Sequence, residues 1–436
     1  MNAILQKYTP IIHATRSVET VGRISQVVGM VLESNGPQAP IGEVCILRNR
    51  AGQEVSRSEI VGFRDNKILS MVLGDFAGIE PGMEIVASGS TLTATVGNGL
   101  LGRVLDGLGN PMDGKGPLPD TSLRSIYAQP PNPLTRKRIT EPMATGVRAI
   151  DSVLTLGKGQ RVGIFAGSGV GKSTLLGMIA RNATSDVNVI ALIGERGREV
   201  RDFIEEDLGE EGLKRSVVIV ATSDMPALVR VKAPLIATAI AEFFRDEGLD
   251  VMLMMDSVTR LALAQREIGL TIGEPPTTKG YTPSVFALLP KLMERAGTSD
   301  LGSITALYTV LVEGDDMNEP IADAARGILD GHIVLSRRLA ALGHYPAIDI
   351  LESVSRVMKD VITPQHRSAA QGMKEVLAAY REAEDMISVG AYQKGSNPLV
   401  DKAIELRPHT RKFFRQVVED PTGYRDVVAK LLEFGL

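Results

Sequence analysis

One stretch limits what this chain can become: RVGIFAGSGVGKSTLLGMIAR, from Arg161 to Arg181. Val162 to Ala166 form an apolar, partly β-branched run that reads as a buried strand. A glycine-dense turn follows (Gly167, Ser168, Gly169, Val170, Gly171), then Lys172, Ser173, Thr174 and a helical run from Leu175. Glycines let consecutive N–H groups curl inward onto an anion, and the helix behind them adds its positive end. Strand, turn and helix in that order make a phosphate-binding P-loop, with Lys172 directed at the β- and γ-phosphates and the Ser173 hydroxyl at Mg2+. Ala166 stands where the strict pattern has its first glycine, and it is small enough for that place. The dinucleotide pattern G-x-G-x-x-G fails, because its third glycine would fall on Lys172. A glycine-rich loop with a chance lysine is the alternative, and the flanking strand and helix weigh against it.

A P-loop sits at the carboxyl end of a strand, so the other strand ends are where chemistry is expected. From Gly146 onward strands and helices alternate, with strands expected at Val162–Ala166, Val187–Ile193, Val217–Ala221, Val251–Met255, Ile304–Val312 and His332–Leu335. Helical patterns fill most gaps, as in Pro234–Arg245 and Ser284–Arg295, which implies a parallel sheet covered on both faces. Asp256 ends the run VMLMMD and fits a carboxylate that holds Mg2+ through its water shell. The next residue is Ser257, not Glu, so a catalytic base has to come from elsewhere. Glu195, after the strand VIALIG, fits a carboxylate that polarises the attacking water. Arg196 and Arg198 offer it a surface ion pair instead. Glu199 reads as a contact to the metal or its water. Arg356, after YPAIDILESVS, is on its own only a solvated cation.

Size and charge narrow the class. A chain of 436 residues supports two or three domains, and a net charge of -4 gives no sign of a nucleic-acid partner. The single cysteine, Cys45, excludes intrachain disulfides and a cysteine-based zinc cluster. No run approaches 18 apolar residues, and the start of the chain lacks an export signal, so a reducing, cytoplasmic setting is expected.

The rest of the chain has three textures. Met1, Ile4, Leu5 and Tyr8 form an apolar helical stripe on an arm of residues 1–20, which either docks on a partner or membrane surface or is a disordered end. Residues 21–91 carry short β-rich runs (Val27–Val31, Val44–Leu47, Glu59–Phe63, Ile68–Leu73, Met83–Val86) punctuated by Gly, Pro and Asn, as in a small barrel. Its strands have few aromatics and no basic stripe, which favours a structural or ring-forming role over oligonucleotide binding. The P-loop domain is expected over 92–364, beginning with a Gly/Pro-rich segment, Thr93 to Pro142, read as irregular structure wrapping it. Residues 365–436 read as a helical domain, with stripes Met373, Val376, Leu377, Tyr380, Glu384, Ile387 and Tyr424, Val427, Val428, Leu431, Leu432.

Taken together, GSGVGKST, GERGREV, MMDSVTR and PAIDILESVS resemble the catalytic α/β-subunit family of rotary ATP synthases. The resemblance implies an α/β fold: a P-loop RecA-type parallel sheet core with an N-terminal small β-barrel and a C-terminal helical domain. It implies ATP and Mg2+, with Lys172 and Ser173 as phosphate and metal contacts, Glu195 as general base, Arg196 as accessory phosphate contact and Asp256 as the carboxylate for the metal's water. It also implies Tyr345 as the aromatic against adenine and Arg356 as an arginine finger reaching into the adjacent subunit. The runs EPPTTKGYTPSVF, EGDDMNEPIADAARGILDGHIVLSRRLA and ISVGAYQKGSNPLVDKAI are similar to type III protein-export ATPases, the flagellar branch above all, over nearly the whole chain. One chain then carries both base and finger, which implies a homohexameric ring.

That family brings further expectations: a stator-like regulator at the N-terminal arm, a central stalk protein, export chaperones and substrates, an export gate, and peripheral association with the cytoplasmic face of the membrane. The acidic loop that meets the rotor in the synthase is not evident at REAEDMI, so the C-terminal part is where this branch should differ. Three readings follow: an ATPase for flagellar or, as runner-up, injectisome export; an RNA translocase resembling the termination factor Rho; and a non-catalytic nucleotide-binding ring subunit. The acidic balance and sparse barrel aromatics disfavour the second, Lys172 and Glu195 the third.

Overall fold

A computed structural model describes residues 19–312, 314 and 316–436. The apolar stripe Met1, Ile4, Leu5 and Tyr8 of the arm lies outside them. The chain divides into two compact units: the described residues to Leu92 with Pro226–Val229 and Glu267–Pro275, and the remainder.

The first unit contains a closed six-stranded barrel. Its strands are β1 (Val21–Val28), β2 (Val31–Asn35), β3 (Glu43–Arg48), β4 (Glu54–Arg64), β5 (Lys67–Val72) and β6 (Glu84–Thr91), in the order β1-β2-β5-β4-β3-β6. Inward alternation places Ile24, Leu32, Cys45, Leu47, Ile60 and Ile85 in one core. The expected single run Val27–Val31 is a hairpin instead: Gly29 has φ +57°, and the chain reverses between β1 and β2.

The second unit is built on a nine-stranded sheet. In chain order its main strands are β7 (Arg103–Asp106), β8 (Arg161–Ala166), β9 (Val187–Ile193), β10 (Ser216–Ala221), β11 (Asp250–Asp256), β12 (Ser303–Leu311), β13 (Gly331–Leu335) and β14 (Ile348–Ser355). In space they run β14-β13-β8-β12-β11-β9-β10-β7. All are parallel except β14, which is antiparallel to β13; Gly297–Thr298 pairs antiparallel along β12 as the ninth strand. Strands β9, β10 and β11 are almost wholly apolar, as burial on both faces requires.

The six central strands match the alternation in the sequence to within a residue or so at each end. Two edge strands depart from expectation. β7 arises within the segment read as irregular, because four residues between glycines, Arg103 to Asp106, extend the sheet beside β10. β14 is the stretch Ile348–Ser355, whose central polar residues hide any strand periodicity.

The C-terminal helices are α-helices Pro364–Ser388, Pro398–Phe414 and Tyr424–Leu432. They share one apolar core with the sheet: Met373, Phe413, Phe414, Val427 and Leu431 pack in the same cluster as Leu176, Ile179 and Ile348. Glu384, the polar break in the first stripe, pairs with Arg338 at 2.8 Å. Leu432, expected on the second buried stripe, is 43% exposed, since the helix ends there and turns it outward. Among the described residues no helix is long and apolar enough to cross a membrane.

Candidate active site

The loop after β8 turns because Gly169 and Gly171 take φ values of +77° and +86°, which side chains other than glycine resist. Val170 between them is buried and anchors the turn in the core. Lys172 opens the helix α1 (Lys172–Asn182), so Ser173 and Thr174 fall in its first turn, where backbone N–H groups are unpaired. Gly167 is the point of closest approach from outside the loop. A Cβ there would lie 2.6 Å from Arg337 Nε, so the missing side chain is what lets that guanidinium lie against the turn.

The three charged residues read from the strand ends come together. Lys172 Nζ lies 2.5 Å from Asp256 Oδ1 and 3.3 Å from Glu195 Oε1. Thr309 of β12 donates its hydroxyl to the same Asp256 oxygen at 2.6 Å. Burial works against the charge on Lys172, but the Asp256 and Glu195 carboxylates outweigh it and hold the ammonium above its ordinary pKa. Burial dominates at Glu195, pushing its carboxyl up to about 7, with Lys172 pulling the other way. A carboxylate poised near neutrality suits proton abstraction from water.

Glu199 sits one helical turn beyond, in the short helix Gly197–Asp202, and its hydrogen bond with Glu195 holds its own pKa below the usual range. Arg196 is 81% exposed at its side chain and pairs with Glu199 at 3.3 Å. These groups line a cavity of about 860 Å³ together with Arg260, Arg266, Lys279 and Arg337. Residue type and spacing give those four cations no role, although Arg260 closes the run MMDSVTR and Lys279 and Arg337 lie in other runs that carry the resemblance. Arg260 and Arg266 share the helix Val258–Ile272, whereas Lys279 and Arg337 come from two other elements, so the fold brings three segments together.

A second cavity, of about 750 Å³, shares Gly169, Gly171 and Thr174 with the first and opens on the other side of the loop. Tyr345 borders it, its ring 3.5 Å from where a Cβ on Gly171 would be. The opposite wall is Arg415, Gln416, Val417 and Val418, from the segment after the second C-terminal helix. Gln416 fixes that wall. Its backbone N–H donates to the Tyr345 carbonyl at 2.9 Å, its amide to the Gly146 and Asp420 carbonyls at 2.7 and 2.8 Å, and its Oε1 accepts from Arg148 N at 2.8 Å. The loop thus has a polar, charged side and a flatter, partly apolar side, as a nucleotide's phosphates and base require.

Arg356 is not in this constellation. It follows β14, and its backbone N–H donates to the Asp330 carbonyl at 3.0 Å, beside the Arg161–Asp330 ion pair at the start of β8. The P-loop is at the far end of β8, five residue steps away, ~17 Å at ~3.3 Å per residue. Arg356 is exposed, and its backbone lies at the end of the sheet opposite its own chain's glycine turn.

The metal question turns on donor chemistry. Ser173, Asp256, Glu195 and Glu199 offer oxygens only, which suits a hard cation such as Mg2+ and no soft metal. No cluster of three or more His, Cys, Asp or Glu able to cage a metal exists among the described residues.

The chain matches three family descriptions: "ATP synthase alpha/beta family, beta-barrel domain" over residues 24–89, "ATP synthase alpha/beta family, nucleotide-binding domain" over 146–355, and "T3SS EscN ATPase C-terminal domain" over 362–433. It is 55% identical over 422 residues to the flagellum-specific ATP synthase of Bacillus subtilis, covering 96% of each chain. It is 52% identical over 410 residues to the type 3 secretion system ATPase of Xanthomonas euvesicatoria, covering 94% of this chain and 93% of that one. Among solved structures it resembles the assembled ATPase EscN of the enteropathogenic E. coli type III secretion system at 46% identity, covering 95% of this chain and 99% of that chain, with TM-score 0.90. With EscN in complex with its central stalk EscO the TM-score is 0.88, at the same identity and coverage.

Proposed function

The chain belongs to the type III export branch of the ATP synthase alpha/beta family and is an ATP hydrolase; on that premise we propose that it works as a homohexameric ring that hydrolyses ATP at its subunit interfaces to energise flagellar protein export. The observation that carries the shared-site part is the separation of Arg356 from the P-loop of its own chain. A finger that cannot reach its own phosphates must serve a neighbour's, and a chain carrying both a base and a finger gives every interface a complete site.

In this reading Lys172 exchanges its Asp256 and Glu195 partners for the β- and γ-phosphates, and the P-loop N–H groups cradle the remaining oxygens. Ser173 would hold Mg2+, with Asp256 and Glu199 acting through its water, and the metal would neutralise charge on the phosphates. Glu195 orients the attacking water and takes its proton, Arg196 makes an accessory phosphate contact, and Tyr345 stacks on adenine. Arg356 of the next subunit stabilises charge developing on the transferred group, a contribution of about 10³–10⁵ in turnover in enzymes that use such a finger.

Assembly and a central stalk are properties of the similar EscN structures, which supports the same arrangement here. Export chaperones and substrates, an export gate, a regulator at the N-terminal arm and a place at the cytoplasmic face of the membrane complete the proposal. The injectisome is the second reading, favoured by the 52% identity to a type 3 secretion ATPase. Measuring ATPase rate per chain against protein concentration, with mass alongside, tests the shared-site reading. Turnover should rise as a sixfold species forms. Equal specific activity in strict monomers would refute it.

A further inference from the structure

The strand β14 connects two sites. Tyr345, three residues before it, borders the base cavity of its own chain, and Arg356, immediately after it, is the group proposed to serve the neighbour. What lies between is not a regular strand. Leu335 pairs with Ile348 and Val334 with Asp349, yet the next partners are His332 with Val354 and Gly331 with Ser355. Ile350 to Ser353 therefore bulge out of the ladder, and the shape of the bulge sets how the Arg356 end stands relative to the Tyr345 end.

The bulge is held from two directions. Within the strand, the buried Asp349 carboxylate accepts from the N–H groups of Leu351 and Glu352 at 3.1 and 3.2 Å. The Ser353 hydroxyl donates to the Asp349 carbonyl and accepts from Val334 N at 3.0 Å. From outside, Nη2 of Arg381, on the long C-terminal helix, lies 2.6 and 2.8 Å from the two Asp349 carboxylate oxygens, while Nη1 donates to Glu352 at 3.3 Å, so the planar guanidinium bridges the two acidic residues. A small cavity of about 110 Å³ opens beside this contact, between Ile348, Ile350, Leu377 and Tyr380, so apolar packing leaves the segment room to shift. The polar contacts decide its shape.

We propose that Asp349 and Arg381 are positioning residues for Arg356: by fixing the β14 bulge to the C-terminal helix, they place the finger for the neighbouring subunit's site. The inference rests on the shared-site reading above. It makes the C-terminal helix of one subunit a control on hydrolysis in the next, with no contact between that helix and the nucleotide it affects.

The test uses rings mixed from two full-length chains, Lys172→Ala and Arg356→Ala. Only interfaces where a Lys172→Ala chain lends its finger to an Arg356→Ala chain are complete. Asp349→Asn is then added either to the finger-lending chain or to the nucleotide-holding chain, and Arg381→Gln is tested in the same two placements. The expected result is a loss of about tenfold to a hundredfold in the recovered activity when the change is on the lending chain, the scale of a misplacement of about 1 Å. On the holding chain the loss should be less than about threefold. Arg381→Lys on the lending chain, which keeps charge without the planar fork, should fall between. Equal losses in both placements, including a common failure to assemble, would assign the pair a structural role and overturn the proposal. So would no loss in either. Absence of recovered activity before either change is added would instead refute the shared site itself.

Discussion

Lys172 and Arg356 stand at opposite ends of one sheet: Lys172 opens the helix after β8, while Arg356 hydrogen-bonds to Asp330 at the level where β8 begins. The shared-site reading depends on that separation, because it makes one chain's phosphate cradle incomplete without another's guanidinium.

The cradle itself is the first target. Lys172→Ala should abolish turnover, and Glu195→Gln should do so while ATP still binds, since the amide cannot take a proton but fills the same space. Stopped turnover with retained nucleotide binding is the expected signature. Full turnover by Glu195→Gln would remove it as the base.

Gln416 gives a second expectation, one that separates binding from chemistry. Gln416→Ala leaves the Gly146 and Asp420 carbonyls and the Arg148 N–H without their partner, a cost of about 1–3 kcal/mol for each group left buried and unpaired. The wall facing Tyr345 should loosen. KM for ATP should rise about tenfold or more with kcat changed much less, as steady-state kinetics would show.

Acid should weaken the fold near the same loop. His344 is held down to about 4, first by burial and then by Arg415, Arg411 and Arg407. The unfolded chain's imidazole takes up its proton near 6.5, the folded one only near 4, so the unfolded state binds more protons in between. Stability should therefore fall as pH is lowered from about 6.5 to about 4. Thermal unfolding followed across that window should show the drop, and His344→Gln should shrink it.

Cys45 should be chemically silent. Burial within the barrel pushes its thiol up to about 12, with Glu43 adding to the effect, so the thiolate is scarce at neutral pH. An alkylating reagent should label it only on unfolding, and Cys45→Ala should leave ATP turnover unchanged.

The sequence makes the centre of this molecule legible and its margins less so. Buried parallel strands such as Val187–Ile193 are continuous apolar runs, and Glu195 and Asp256 are visible because each ends one. β7 escapes notice because it is only four residues long, and β14 because Asp349, Glu352 and Ser353 interrupt its apolar run, Asp349 and Ser353 being buried but hydrogen-bonded within the bulge. Arg260, Arg337, Arg415 and Gln416 escape for a different reason. Each is an ordinary polar residue in its own segment and gains meaning only from a loop more than 80 residues away in the chain. The distance between Arg356 and Lys172 belongs to this last kind, since no spacing in the sequence reveals which end of a sheet a residue occupies.

The most direct measurement mixes the two chains that should each be dead alone. Lys172→Ala lacks a working cradle and Arg356→Ala lacks a finger, so rings of either should hydrolyse ATP at least about a thousandfold more slowly than the unaltered protein. Co-assembled, they should regain turnover, with the optimum at comparable amounts of the two. Mixtures that assemble into rings yet remain inactive at every ratio would contradict the shared site.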